Sequence, residues 1–169
     1  AYVSFSPAVK TTAGADGSFT LQLPTSGNGD YAVAAFASNL AGPADNPSPR
    51  VTFHIKLNGP TEPPTLVLSA TTDSGIVGDG ITNVRKPIFT GTVGASNAGS
   101  IIRIYQASST GSPTGNALAT VTADASGNYS ATLSGSQING VISLTATAVD
   151  PAGNTAPSNS ARSEEHTSE

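Results

Sequence analysis

Apolar residues in the second half of this chain fall at every other position, in short bursts divided by turns rich in glycine, asparagine and aspartate. Tyr129, Ala131 and Leu133 alternate with Ser130 and Thr132, and Leu144, Ala146 and Ala148 alternate with Thr145 and Thr147. A period of two places each set on one face of a β-strand. The same reading gives strands over 65–69, 88–93, 101–105, 118–122, 128–133 and 141–149, with a last one near 155–161. The stretch from Asp73 to Asn83 reads as one long turn between the first two strands. Asn139-Gly140 predicts a type I′ hairpin, whose two central positions both take positive φ. No window shows a capped helical period.

Seven short strands with turn signals between them predict an all-β chain folded as an immunoglobulin-like β-sandwich. A block also recurs. Ala15-Asp16-Gly17-Ser18-Phe19 returns as Ala125-Ser126-Gly127-Asn128-Tyr129, a shift of 110 positions, and Asn28-Gly29 returns as Asn139-Gly140, a shift of 111. Ala37 to Gly42 likewise returns as Ala148 to Gly153. A repeat of that length is a whole small domain and too long for a solenoid unit. The expected organisation is therefore a tandem of Ig-like sandwiches: an N-terminally truncated copy over 1–57, a linker over 58–64, a complete copy over 65–161, and a tail over 162–169.

The truncated copy carries strands over 18–23, 31–38 and 50–57 and a remnant of the third strand at 2–5. Its first two strands are missing, which leaves an apolar face and a sheet edge uncovered, so it is expected to be poorly stable alone. Pro60, Pro63 and Pro64 make the linker semi-rigid and extended. The tail, Arg162-Ser163-Glu164-Glu165-His166-Thr167-Ser168-Glu169, breaks with the Ser/Thr/Ala-rich text before it. It resembles a common sequencing-adaptor oligonucleotide translated in frame, and it is expected to be disordered and foreign to the natural protein.

Composition narrows the function. Charged residues make up 11% of the chain, and the net charge is −4 with seven Lys and Arg in all. No clustered basic surface exists for nucleic acid. The chain has no cysteine, so disulfides, thiolate metal sites and a Cys nucleophile are excluded. No apolar run is long enough for insertion into a membrane as a helix.

The most distinctive run is Asp73-Ser74-Gly75-Ile76-Val77-Gly78-Asp79-Gly80-Ile81-Thr82-Asn83. Calcium takes six to eight hard oxygen ligands, and a glycine-punctuated loop with Asp toward both ends can turn its carbonyls inward. The spacing is not that of an EF-hand, and Asx-type turns account for the same aspartates without any metal. Together with Pro87-Ile88-Phe89-Thr90-Gly91-Thr92 and Asp150-Pro151-Ala152-Gly153-Asn154, the run resembles the bacterial Ig-like repeats of giant surface adhesins, of the biofilm-associated-protein type. The resemblance covers nearly all of 63–161. It implies a secreted or surface-attached rod of repeats, with calcium bound near domain junctions by Asp73, Asp79 and Asp150 and more weakly by Asn83. The implied partners are neighbouring Ig-like repeats; the ligand of the full-length protein is not legible.

Alternating strand directions put the Asp73–Asn83 loop at one pole and Asp150 at the other. A junction site would then join the loop of one repeat to the Asp150 equivalent of the next. The first copy has Asn39-Leu40 where the family has Asp, so calcium binding by this chain is expected to be weak, within about 10⁻⁴–10⁻³ M as for extracellular modules.

The remaining residues read as structural. His54 lies on the outer face of an alternating strand, His166 falls in the tail, and no Ser-His-Asp arrangement or glycosidase pair stands out. The expected function is a non-catalytic spacer. The runner-up is a ligand- or polysaccharide-binding module, for which exposed aromatic platforms are short: there is no Trp, and Tyr105 and Tyr129 are expected to pack inward.

Overall fold

A computed structural model describes residues 9–24, 27–39, 42–43, 47–135, 137, 139–156 and 162–166. The chain divides into two compact units, 1–57 and 58–169.

The second unit is a sandwich of two sheets. The smaller has the order β10-β7-β5, from β5 (Val67–Leu68), β7 (Ile88–Thr92) and β10 (Asn128–Thr132). The larger has the order β6-β12-β11-β8-β9, from β6 (Ile81–Thr82), β8 (Ile101–Ala107), β9 (Pro113–Thr122), β11 (Gly140–Val149) and β12 (Arg162–His166). All pairings are antiparallel except β12 with β6. The alternation read from the sequence decides which side faces in. Leu66 and Leu68, Phe89, Ile102 and Ile104, Tyr129, Ala131 and Leu133, and Leu144, Ala146 and Ala148 all belong to one buried cluster. Phe89, Ile102, Ile104 and Leu144 lose essentially all contact with water, each contributing about 1.5–3 kcal/mol.

One polar contact staples the smaller sheet. Tyr129 on β10 reaches across Gly91 of β7 and donates its hydroxyl to the Thr65 carbonyl. A side chain at Gly91 would collide with that same carbonyl, so only glycine lets the phenol pass. Burial raises the Tyr129 pKa well above its ordinary 10.0.

Several sequence expectations need correction. Arg162–His166 is a strand, although disorder was expected from 162 onward; it pairs with both β11 and β6. The reason is that ladder bonds use backbone groups common to every residue type, so an open sheet edge can order a segment of unsuitable composition. Only Thr155 and Ala156 of the expected last strand are described: Thr155 bridges Val149 and Ala156 is buried, while 157–161 and 2–5 lie outside the described residues. β10 and β11 lie in different sheets, so Asn139-Gly140 does not close a hairpin between them. Tyr105 is half-buried and sits opposite Thr145, on the face away from Ile102 and Ile104; it does not pack inward. Residues 58–64 fold as part of the second unit, with Pro60 and Pro64 buried.

The first unit is a sparser structure. β1 (Gly29–Val33) pairs with β4 (Val51–Ile55), and β2 (Ser38–Asn39) with β3 (Gly42–Pro43). The segment 18–23 is not a strand, because the described residues include no counterpart of β7 for it to pair with. Tyr31 is buried and stacks on Phe53 with ring centroids 5.5 Å apart.

Candidate functional site

Loop geometry at the two ends of the second unit follows from the strand pairings. Ser69 N–H donates to the Ile88 carbonyl, Leu133 N–H to Pro87 and Gln137 N–H to Arg85, so the loops around 69–87 and 133–139 share one pole. Val93 N–H donates to Gly127 and Gly99 N–H to Ala123, which closes the opposite pole, where β11 ends at Val149. Asp73, Asp79 and Asn83 lie at the first pole and Asp150 at the second. A Cβ on Gly59 would press on Thr155 and Asn154, so the chain enters this unit at the Asp150 pole.

The Asp73 loop is built on a buried polar base. Thr72 N–H and Asp73 N–H both donate to the Ser69 carbonyl, at 2.8 and 2.9 Å. Thr72 Oγ1 accepts from Ile88 N–H at 3.0 Å, and the Thr82 hydroxyl donates to the Thr72 carbonyl. Ser74 Oγ accepts from Asn83 N–H at 2.8 Å, which brings the two ends of the loop together. Thr72, Ser74 and Thr82 were missed by sequence reasoning; the only signal was hydroxyl residues flanking the aspartates.

Within this frame Asp73 is 6% exposed. Its Oδ2 accepts from Gly78 N–H at 2.6 Å, while its Oδ1 is buried and accepts no hydrogen bond from the described residues. A buried carboxylate oxygen left without a donor is costly, by more than the roughly 1–3 kcal/mol of a neutral group. A cation is one group that could satisfy that oxygen. Asp79 is exposed and its Oδ1 accepts from Ile81 N–H at 2.9 Å, an Asx-type turn. Asn83 is exposed. Among the described residues no group of three or more His, Asp or Glu gathers as a metal-ligand cluster. Any ion here would take most of its oxygens from amides, backbone carbonyls and water.

Asp150 is a different case. Its Oδ1 accepts from Ala152 N–H and Asn154 N–H, both at 2.9 Å, and its Oδ2 from the Asn154 side-chain amide at 3.2 Å. Asp150 N–H donates to Asn154 and Gly153 N–H donates back to Asp150. Asp124 repeats this design: its Oδ1 accepts from Ser126 and Asn128 N–H, with the same two backbone bonds to Asn128 and from Gly127. Ser108 does so again with its hydroxyl, to Thr110 and Ser112. This Asp- or Ser-x-x-Gly turn, with Gly127 at φ 80° and Gly153 at φ 89°, is how the sandwich makes several of its reversals. Sequence reasoning missed this turn; the signal was a glycine three positions after the aspartate, in Asp124-Ala125-Ser126-Gly127 and Asp150-Pro151-Ala152-Gly153.

Elsewhere, His54 Nδ1 lies 2.8 Å from Asp30 Oδ1 across the β1–β4 ladder, both side chains exposed. An exposed pair of this kind contributes little. No helix among the described residues is long and apolar enough to cross a membrane.

Compared with known proteins, residues 60–163, more than half of the chain, match the family described as bacterial Ig-like domain. No curated protein matches. Among solved structures, one described as "Biofilm associated protein - BSP domain" is similar at 21% identity with a TM-score of 0.42, over 95% of this chain. The chain spans 23% of that structure's length, and a likeness at that score says nothing of arrangement or activity.

Proposed function

Since the chain belongs to the bacterial Ig-like domain family, we propose that it is a non-catalytic spacer segment of a secreted or surface-attached bacterial adhesin, stiffened by calcium. The observation that carries the calcium reading is the buried, unpartnered Oδ1 of Asp73, at the pole away from the one where the chain enters. Asp73 would hold the ion, joined by loop carbonyls, the Asp79 carboxylate and the Asn83 amide oxygen. Asp150 already closes its own turn, so it would join a site only by giving up bonds to Ala152 and Asn154. A bound divalent cation would neutralise the buried charge and fix the polar loop. Where a further repeat follows, that removes hinge freedom at the seam. Calorimetry of the full chain with calcium should show weak binding, within about 10⁻⁴–10⁻³ M, lost in Asp73→Ala. Submicromolar binding, or binding untouched by Asp73→Ala, would overturn this reading.

A second reading, a ligand- or polysaccharide-binding module, is favoured by one observation: Tyr105 lies on the outer face of the larger sheet beside Arg103 and Thr145. A glycan array would decide it. Reproducible binding lost in Tyr105→Ala supports it, and no binding rejects it.

A further inference from the structure

Three Asn-Gly pairs occur in this chain: Asn28-Gly29, Asn58-Gly59 and Asn139-Gly140. Glycine has no Cβ, so its backbone nitrogen can come close to the side-chain amide carbon of the asparagine before it. The fold restrains the three pairs differently. Gly29 is the first residue of β1 and faces Ile55, and Gly140 is the first residue of β11 and faces His166. The Asn28 side-chain oxygen accepts from Leu57 N–H at 2.7 Å, which ties that amide to the chain just beyond β4. Asn139 also has a polar partner. Ring closure at either pair therefore requires a local opening of its ladder.

Asn58-Gly59 is placed otherwise. Both residues lie outside every described strand, and Asn58 is exposed, with no hydrogen bond from its amide among the described residues. Gly59 is half-buried and closely packed: a Cβ there would come within 2.7 Å of the Thr155 carbonyl oxygen and 3.1 Å of Asn154 Cβ. Pro60 after it is buried and narrows the backbone of Gly59 further. A fixed backbone nitrogen thus stands beside a free side-chain amide.

We propose that Asn58 is a self-modification site, where the chain converts its own side-chain amide into a carboxylate through a cyclic imide. The Gly59 nitrogen loses its proton to solvent base and bonds to Asn58 Cγ. The Cγ–Nδ2 bond breaks, and the amino group takes up a proton and leaves as ammonia. Water then opens the ring. Breaking the bond from the Gly59 nitrogen to Cγ gives aspartate. Breaking the bond to the main-chain carbonyl carbon of residue 58 gives isoaspartate, whose main chain runs through the former side chain. One water enters and one ammonia leaves, so no oxidant or reductant is needed. Either product adds a negative charge at the residue where the second unit begins. Isoaspartate also adds a methylene to the main chain there, beside a glycine with no room to shift. This chemistry is independent of the calcium reading.

The test is to incubate the full chain at mildly alkaline pH in water enriched in oxygen-18 and to follow the three pairs by peptide mapping with mass spectrometry. A labelled carboxylate should form at residue 58 at least about tenfold faster than at residues 28 and 139, which must wait for their ladders to open. Aspartate and isoaspartate should both appear, at a rate that rises with pH. In denaturant the three pairs should react at similar rates, because the ladders are gone. Asn58→Gln, which would need a larger ring, should remain unmodified over the same interval. Faster reaction at Asn28 or Asn139, no product at Asn58, aspartate without isoaspartate, or the same order of rates in denaturant overturns the proposal.

Discussion

The hairpin of β1 and β4 and the hairpin of β11 and β12 are paired residue for residue alike, but among the described residues only β11 contributes to the large core cluster. The turn before each shows the same contrast. Gly14 N–H donates to Ser18 and Gly17 N–H to Gly14, just as Asp124 N–H donates to Asn128 and Gly127 N–H to Asp124. Gly17 and Gly127 both sit at φ 80°. Two residues after each glycine comes an aromatic: Phe19 is 58% exposed, while Tyr129 is 6% exposed and bonded to Thr65. Local chemistry is therefore reproduced where tertiary chemistry is not. A turn needs only its own residues, a ladder needs one partner, and burial needs a second sheet.

The sharpest way to break this comparison is at the paired glycines. A Cβ at Gly127 would run into the Gly94 carbonyl, whereas nothing lies within 4 Å of one at Gly17. Gly127→Ala should cost the second unit upwards of about 3 kcal/mol by overpacking and left-handed strain together, and Gly17→Ala only the strain, about 1 kcal/mol. Denaturant titration of both variants measures the gap. Equal costs would mean that the two turns have the same surroundings after all.

Asp150→Ala comes next, at about 2–3 kcal/mol, because its carboxylate is 4% exposed and fully engaged in its turn. Asp124→Ala should cost about 1 kcal/mol, since Asp124 is exposed. If Asp150→Ala removed calcium binding while leaving Tm unchanged, its role as a turn staple would be wrong.

Tyr129→Phe should cost about 1–2 kcal/mol, against less than about 0.5 kcal/mol for Phe19→Leu. The pH dependence follows from the same burial. The folded state keeps the Tyr129 proton where the unfolded chain loses it, so its contribution is whole below pH 10 and declines as pH rises beyond that. Wild type should lose stability above about pH 10 more steeply than Tyr129→Phe. Parallel alkaline profiles would contradict this. The smallest effect is expected at Ser100, whose hydroxyl is buried and has no hydrogen-bond partner among the described residues. Ser100→Ala should change stability by less than about 0.5 kcal/mol, and on the favourable side.

Much of this fold was legible. Period-two alternation found the core-facing residues of β10 and β11, because a strand half-buried on one side writes its burial directly into its sequence. The Asp124 and Asp150 turns were missed, although a glycine three positions after each aspartate marks them. Asn139-Gly140 misled because a hairpin dipeptide acts only where the flanking strands pair directly, and β10 and β11 lie in different sheets. β12 escaped because edge pairing follows backbone vacancy more than residue type. At the site, the loop and its aspartates were visible, but the division of labour among them was not. That Asp73 has an idle oxygen and Asp150 none to spare depends on which N–H groups point at each carboxylate, which spacing alone does not encode.

The central claim is that the same local register is less stable where the described residues supply only two-stranded ladders than where it joins a sandwich. Native-state hydrogen exchange on the full chain tests it most directly. Amides of β7, β8, β10 and β11 should exchange at least about a hundredfold more slowly than those of β1 and β4. Equal protection in the two hairpins would contradict the account.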